Sequence, residues 1–318
     1  MGKCTVGKHK NCQEMINGDL RIAVTTEVGP RIIGCFIGGD DDNMFVVLPN
    51  RPFKGVNTGF RIYGGHRLWH SPEAKPRSYQ ADNDPVQVTK IKDGFEFACP
   101  TPEAETGIRK IITVEALPNG VFAVNHILEN CGQWDVELAP WALTMMAPGG
   151  QLVFPQHRDP NGYPYAPDRS LILWPYCSFT DPRLSLQDDY IFLKQDPKAD
   201  SAIKIGYNNT DGWCAYLRNG KAFVKYFDYQ EDSDYPDLGC SIESYSCGDF
   251  QEVETLGPLE LLQPGECVEH TEYWQGIKGL PEIKNDKDVA KYLEPKLLLL
   301  EGECDDEECD CGCHNHKH

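Results

Sequence analysis

Three Asx-Gly pairs constrain the fold of this chain more than any other feature of its sequence. The pairs are Asp93-Gly94, Asn119-Gly120 and Asn219-Gly220, and they separate residues 86–92 from 95–98, 111–117 from 121–128, and 213–217 from 222–227. Such pairs readily adopt the positive φ angles of tight hairpin turns, and the flanking runs are rich in β-branched and aromatic residues. The sequence therefore predicts three β-hairpins.

The remaining pattern agrees with an all-β fold. Residues 122–129 and 222–227 alternate with the two-residue period of strands, and no long helical period competes with it. With 29 glycines and 23 prolines, the chain is predicted to form one large antiparallel β-sandwich over about residues 10–280. We divide it into a β-sandwich domain (1–285), a short helix or linker (286–300) and an acidic Cys/His-rich tail expected to be disordered (301–318). Residues 155–183 are predicted to form a long loop that could cover a pocket.

Charge and hydropathy exclude several classes of partner. The net charge of −19 and the absence of a Lys/Arg cluster argue against nucleic acid. No run approaches the roughly 20 apolar residues of a membrane span, and the N-terminal residues are polar, so we expect a cytoplasmic protein without a membrane partner. Ten cysteines are scattered singly through residues 4–267, which indicates reduced, largely buried thiols.

Residues 60–73 combine two histidines, two arginines, three aromatic residues and a glycine pair. Glycines allow close approach of the backbone to a ligand, arginines bind oxygen groups, and tryptophan offers a flat apolar face. The segment predicts a site for a polar small molecule, and a sugar or oligosaccharide is the expected partner. The candidate residues in this segment are Arg61, Tyr63, His66, Arg67, Trp69 and His70.

A second segment places two carboxylates together. Alternation along a strand puts Glu252 and Glu254 on one face and Val253 on the other. If Val253 faces the core, both carboxylates face outward or into a cleft. Taken alone, this pattern is also that of a solvated strand face.

Four segments resemble a known superfamily. They are Gly64-Gly65-His66-Arg67-Leu68-Trp69, Glu137-Leu138-Ala139-Pro140-Trp141-Ala142-Leu143, Leu173-Trp174-Pro175-Tyr176 and Glu254-Thr255-Leu256-Gly257-Pro258-Leu259. The Gly64-Gly65 segment, the late strand ending in Glu254-Thr255 and the Pro264-Gly265-Glu266 turn follow one another, over most of residues 15–280, in an order similar to that in galactose-mutarotase-like (aldose 1-epimerase-like) proteins, particularly the hexose-phosphate mutarotase branch. The four segments look like one uncharacterised bacterial family of that superfamily. The resemblance implies a β-supersandwich that binds a pyranose. It also implies a glutamate base at the anomeric hydroxyl, a histidine acid at the ring oxygen and no required cofactor.

The resemblance implies roles for individual residues. Glu254 takes the position of the base, whereas the strand expected to carry the acid, near residues 138–144, has no histidine. The acid would then have to be His66 or His70 of the glycine segment, and we assign it to His66. The substrate-binding candidates are Arg61, Tyr63, Arg67, Trp69, His70, His126, Trp141 and Glu243. His126 lies in a regular strand that could face the same cleft, but it is better explained as a structural histidine.

Other functions remain compatible with the same scaffold. A glycoside hydrolase or polysaccharide lyase would use Glu243 with Glu254, or Tyr63 with His66. A non-catalytic sugar-binding or sensing protein would bind without turnover.

Metal binding is a further possibility at two places. His270 and Glu272 could join His66 in a metal site, because divalent ions favour such ligands. The tail concentrates soft ligands and is predicted to bind zinc or another transition metal. Its candidate ligands are Cys309, Cys311, Cys313, His314, His316 and His318.

Overall fold

A computed structural model describes residues 2–53, 55–157 and 165–298. Its first strands are β1 (Gly2–Val6), β2 (His9–Asn17), β3 (Leu20–Val24), β4 (Arg31–Ile37), β5 (Val47–Pro52), β6 (Arg61–Ser71), β7 (Gln87–Ile91), β8 (Gly94–Ala98), β9 (Ile108–Ala116), β10 (Phe122–Asn130) and β11 (Val136–Met146). The strands that follow are β12 (Gln151–Pro155), β13 (Leu171–Leu173), β14 (Leu184–Leu186), β15 (Tyr190–Lys194), β16 (Ile203–Tyr207), β17 (Trp213–Arg218), β18 (Lys221–Phe227), β19 (Ile242–Ser246), β20 (Gln251–Leu256), β21 (Glu260–Leu262) and β22 (Cys267–Lys278). Short helical turns lie at Pro118–Gly120 and Pro236–Gly239.

The strands form two antiparallel sheets, which we call the large and the small sheet. The large sheet has the order β1-β2-β3-β4-β6-β11-β20-β19-β16-β13, with β5 paired to β6 and β21 to β11. The small sheet has the order β14-β15-β12-β17-β18-β22-β10-β9-β8-β7. The main hydrophobic core joins side chains of both sheets, among them Val253 of the large sheet and Phe223 and Trp274 of the small one. The predicted all-β supersandwich is confirmed.

The three predicted hairpins are present in the small sheet. Strands β7 and β8, β9 and β10, and β17 and β18 pair antiparallel around the three Asx-Gly turns. Asp93, Asn119 and Asn219 each have positive φ, between 52° and 62°. These small polar residues tolerate the left-handed conformation that such turns require.

The outer face of the small sheet is covered near its centre by the C-terminal segment. Asp286–Asp288, Val289–Leu293 and Glu294–Lys296 are consecutive helical turns within the segment predicted to hold a short helix. Val289 and Leu293 pack against Val224 and Ile277. The tail and its predicted metal ligands lie outside the described residues. In the part of the chain described, no helix is long and apolar enough to cross a membrane.

Gly64 and Gly65 change the face to which β6 presents its side chains. Their φ angles are 89° and 68°, and a Cβ atom at Gly64 would lie 2.0 Å from the carbonyl oxygen of Val46. Before the pair, Ile62 lines the outer surface of the large sheet; after it, Arg67 lines the same surface. Only glycine can adopt these left-handed φ angles so close to a neighbouring strand. The irregularity at the pair therefore determines which of the later residues of β6 face outward.

Candidate functional site

A cleft of about 410 Å³ lies on the outer face of the large sheet. Its floor is formed where β6, β11, β20, β19 and β16 lie side by side. Alternation along each strand directs one set of side chains to the cleft and the other to the core. The floor residues that line the cleft are Arg67, Trp69, Trp141, Leu143, Met145, Lys204, Tyr245 and Glu252.

Aromatic side chains form two walls of the cleft. On one side Trp69 packs edge-on against Phe60, with ring centroids 5.4 Å apart, and against Tyr79 at 5.0 Å. The other side includes Trp174 and Tyr176, which belong to the segment predicted to form a pocket-covering loop. Flat apolar surfaces beside polar groups are well suited to the faces of a sugar ring.

Lys204, in the floor of the cleft, bridges two carboxylates that are buried beneath it. Its Nζ lies 2.6 Å from Oε2 of Glu243 and 3.3 Å from Oε2 of Glu254. Trp141 Nε1 donates a second hydrogen bond to Glu254 Oε2 at 2.9 Å. The ammonium group also lies over the rings of Trp141 and Trp174, at 4.7 and 4.6 Å from their centroids. The lysine thus connects the carboxylates to Trp141 of the floor and to Trp174 of one aromatic wall.

Three carboxyl groups share this small region and repel one another. Burial, together with the charge of Glu254, raises the pKa of Glu243 well above its usual range, although Lys204 opposes the shift. Burial likewise raises the pKa of Glu252 to about 7, with Arg67 opposing and Glu254 adding to the shift. Arg67 donates to Glu252 Oε1 at 3.0 Å. Carboxyl groups with displaced pKa values are typical of acid–base sites.

The structure brings together five residues predicted from the sequence. Arg67, Trp69 and Trp141 line the cleft, and Glu243 and Glu254 lie beneath its floor. Strand alternation puts Glu252 beside Glu254, but neither Glu252 nor Lys204 is among the site residues predicted from the sequence. The signal for Lys204 is its place in the apolar strand Ile203–Tyr207, where a buried lysine requires partners.

His66, expected to act as the acid, does not meet Glu254. It is fully buried and projects to the opposite face of the large sheet, into the space between the two sheets. Its Nε2 lies 2.6 Å from Nε2 of His126, and its Nδ1 lies 2.8 Å from Oγ1 of Thr144. The physical reason is strand alternation: Arg67 faces the cleft, so His66 beside it faces the core.

His126 also belongs to the interior and not to the cleft. Its Nδ1 lies 2.7 Å from the carbonyl oxygen of His270, which can only accept, so Nδ1 carries the proton. His126 Nε2 then accepts from His66 Nε2, and Thr144 donates to His66. Burial lowers the pKa of both His66 and His126, so both rings are neutral. The alternative of a structural histidine at position 126 fits this geometry.

The ligand atoms of His66, His126 and Glu272 lie within 4.8 Å of one another. This grouping includes two of the three residues considered for a metal site from the sequence. Glu272, however, already accepts from Lys225 Nζ and Trp274 Nε1, each at 2.7 Å. The imidazole nitrogens of His66 and His126 are also hydrogen-bonded. Each candidate ligand atom of this cluster therefore already has a partner in the protein, and the buried ammonium group of Lys225 lies beside it.

Three other candidates lie away from the cleft. Tyr63 precedes the glycine pair, lines a separate surface pocket and donates to Asn83 Oδ1 at 2.8 Å. Arg61 begins β6 opposite Pro52 of β5 and is not among the described residues that line the cleft. His70 is buried, lies 3.2 Å from Glu103 and lines a different cavity of about 290 Å³. The change of face at the glycine pair separates Tyr63 from Arg67, although both have odd numbers in one strand.

Comparison with known proteins identifies the fold. No protein-family model matches the chain, and no curated protein matches it. A galactose mutarotase-like protein from Lactobacillus casei ATCC 334 superposes with a TM-score of 0.56 and 10% identity, covering 84% of this chain and 100% of that one. A protein from Escherichia coli K12 proposed to be an aldose 1-epimerase gives 0.51 and 12%, covering 84% and 99%. A TPR-domain containing protein from Parabacteroides distasonis ATCC 8503 gives 0.56 and 15%, covering 85% of this chain and 47% of that one. The chain therefore has the galactose-mutarotase-like fold that its sequence motifs predict.

Proposed function

We propose that this protein binds a sugar in the cleft and catalyses acid–base chemistry at the anomeric centre, as an aldose 1-epimerase-like isomerase. The aromatic walls would hold the apolar faces of the ring, and the polar floor would bind its hydroxyl groups. The structural relatives support a carbohydrate-related role only through their fold.

The observation that carries the proposal is the state of Glu254. Its Oε2 accepts from Trp141 and Lys204, whereas its fully buried Oε1 has no hydrogen-bond partner among the described residues. Buried carboxylate oxygens are rarely left unpartnered, because the lost hydration is costly. A hydroxyl group of a bound sugar would supply the missing donor. Because Glu254 is buried beneath the floor, the side chain of Trp141 or Lys204 must move aside for that hydroxyl group to reach Oε1.

Acid–base chemistry at the anomeric centre would follow once a sugar hydroxyl group makes this contact. A carboxylate that accepts a hydrogen bond from the anomeric hydroxyl can take its proton as the ring bond from C1 to O5 opens. When the ring closes on the other face of the aldehyde, the same carboxyl group returns the proton. No net change in the protein results from the cycle.

The test is exchange spectroscopy by NMR on a panel of free and phosphorylated hexoses, pentoses and uronic acids. We expect accelerated α/β interconversion for at least one sugar, and loss of about 10²-fold or more in rate for Glu254→Gln. Glu260→Gln, at an exposed position of β21, is the matched control and should retain the full rate. Equal rates for Glu254→Gln and the wild type would refute the role of Glu254.

A sugar-binding protein without turnover is the second candidate. It is favoured by one observation: none of the described residues that line the cleft is a histidine. Saturation transfer to a sugar without faster interconversion would support this alternative. Shortened products from an oligosaccharide would instead indicate a hydrolase or lyase on the same scaffold.

A further inference from the structure

Ring opening needs a proton donor at O5 as well as a base at the anomeric hydroxyl. The histidine expected to supply this proton, His66, lies between the sheets and does not reach the cleft. A donor for the cleft must therefore come from another side chain on the outer face of the large sheet.

Glu252 is the carboxyl group at the surface of the cleft floor. It lies on the same face of β20 as Glu254, so the two Cα atoms are about 6.7 Å apart, as expected for residues two apart in a strand. Its side chain is 12% exposed, whereas that of Glu254 is fully buried. Arg67 Nη2 holds Glu252 Oε1 at 3.0 Å, which leaves Oε2 as the oxygen not engaged by the arginine.

We propose that Glu252 is a catalytic residue that donates a proton to the ring oxygen while Glu254 accepts the proton of the anomeric hydroxyl. This inference rests on the proposed function and assigns the second half of its chemistry. The two carboxyl groups would then lie on either side of the anomeric carbon, with Glu254 at the hydroxyl oxygen O1 and Glu252 at the ring oxygen O5.

Ring opening transfers two protons between the sugar and the two carboxyl groups. The O1–H proton moves to Glu254, the O1–H electron pair forms the second bond of the C1=O1 aldehyde, and the C1–O5 bond breaks. Its electron pair remains on O5, which takes the proton of Glu252. Ring closure on either face of the aldehyde reverses both transfers and restores both carboxyl groups.

The surroundings of Glu252 suit a donor at neutral pH. Burial raises its pKa to about 7, so a large fraction of the group is protonated there. The charged and titratable groups that face it are Arg67 from β6, Glu254 on β20, Lys204 from β16, Tyr245 from β19 and Tyr79 from the segment after β6. Arg67 and Lys204 lower the pKa of Glu252, and Glu254 raises it. A carboxyl group that holds its proton near neutral pH can donate it to the ring oxygen of a substrate.

The experiment measures the interconversion rate and sugar binding together, for the wild type, Glu252→Gln, Glu252→Asp and the control Glu260→Gln. We expect Glu252→Gln to lose about 10²-fold or more in rate while its saturation-transfer contacts remain, and Glu252→Asp to recover part of the rate. The wild-type rate should fall as the pH rises above about 7, because the donor loses its proton. Arg67→Met should move this fall to higher pH.

The outcomes separate the two proposals. If the wild type accelerates interconversion and Glu252→Gln keeps the full rate, the inference is overturned and the proposed function stands. If Glu252→Gln loses the rate but Arg67→Met leaves the pH profile unchanged, Glu252 does not act as the titrating donor and the inference is also overturned. If the wild type accelerates no sugar of the panel, the proposed function itself fails, and the inference fails with it.

Discussion

Acid should destabilise the folded state through His270, whose side chain lies in the network between the sheets. Burial, together with the nearby His126, lowers the pKa of His270 to about 3 from an ordinary value of 6.5. The folded state therefore holds the neutral imidazole, while the unfolded chain takes up a proton below pH 6.5. The contribution of the neutral His270 to the free energy of unfolding is complete above pH 6.5 and is lost progressively as the pH falls toward 3.

The magnitude follows from these two pKa values. Between pH 7 and pH 5, proton uptake by the unfolded chain at this one site lowers the free energy of unfolding by about 2 kcal/mol. Glu252 acts in the opposite direction, because its folded pKa of about 7 lies above its ordinary value of 4.5. Over the same interval its protonation in the folded state adds about 2 kcal/mol. The two effects nearly cancel in the wild type, so single-site variants are needed to see either.

The assay is urea unfolding of the wild type, His270→Gln and Glu252→Gln at pH 7, 6 and 5. The stability difference between the wild type and His270→Gln should shrink by about 2 kcal/mol from pH 7 to pH 5, since only the wild type carries the titrating group. Glu252→Gln should become more sensitive to acid than the wild type by a similar amount. His157→Gln, at a partly exposed position, is the control for loss of a histidine. A difference for His270→Gln that stays constant with pH would refute the reasoning.

Three further predictions concern stability and metal binding. Lys204→Met should lower the free energy of unfolding by about 3–5 kcal/mol, because two buried carboxylates lose their counter-charge, and adding Glu243→Gln should recover part of the loss in urea unfolding. Gly64→Ala should cost about 3 kcal/mol or more, since its Cβ would meet the carbonyl oxygen of Val46 at 2.0 Å; Gly149→Ala, also at positive φ but with open space around it, is the control for backbone strain alone. A chain shortened after residue 300 should bind less added zinc than the full chain in a chelator competition, because the thiol and imidazole groups of 301–318 are removed; equal stoichiometry for the two chains would contradict this.

The sequence was sufficient for the fold because its signals are local. The Asx-Gly turns and the two-residue alternation are patterns of neighbouring residues, and they predicted the hairpins. Together with the glycine and proline content they also predicted the sandwich. Alternation also predicted correctly that Glu252 and Glu254 share a face opposite Val253, which packs in the core.

The site was less predictable because it depends on which face of each strand is turned outward. Strict alternation would put Tyr63 with Arg67 and Trp69, but the glycine pair between them changes the face. The glycine pair also places His66 in the core. This could not be predicted from the sequence, because it follows only once Arg67 is known to face the cleft. Lys204 and Trp174 come from distant parts of the chain, and only the folded topology brings them to Glu254.

The network between the sheets also fixes how the strands align. His126 lies directly opposite His270 in the pairing of β10 with β22, and Lys225 of β18 reaches Glu272 of β22. A slip of one residue along β22 would turn His270 and Glu272 out of the interior and leave Lys225 as an uncompensated charge in an apolar core. Misaligned sandwiches of this chain are therefore penalised at their centre by an unpaired buried charge, in addition to the exposure of apolar side chains that any such slip causes.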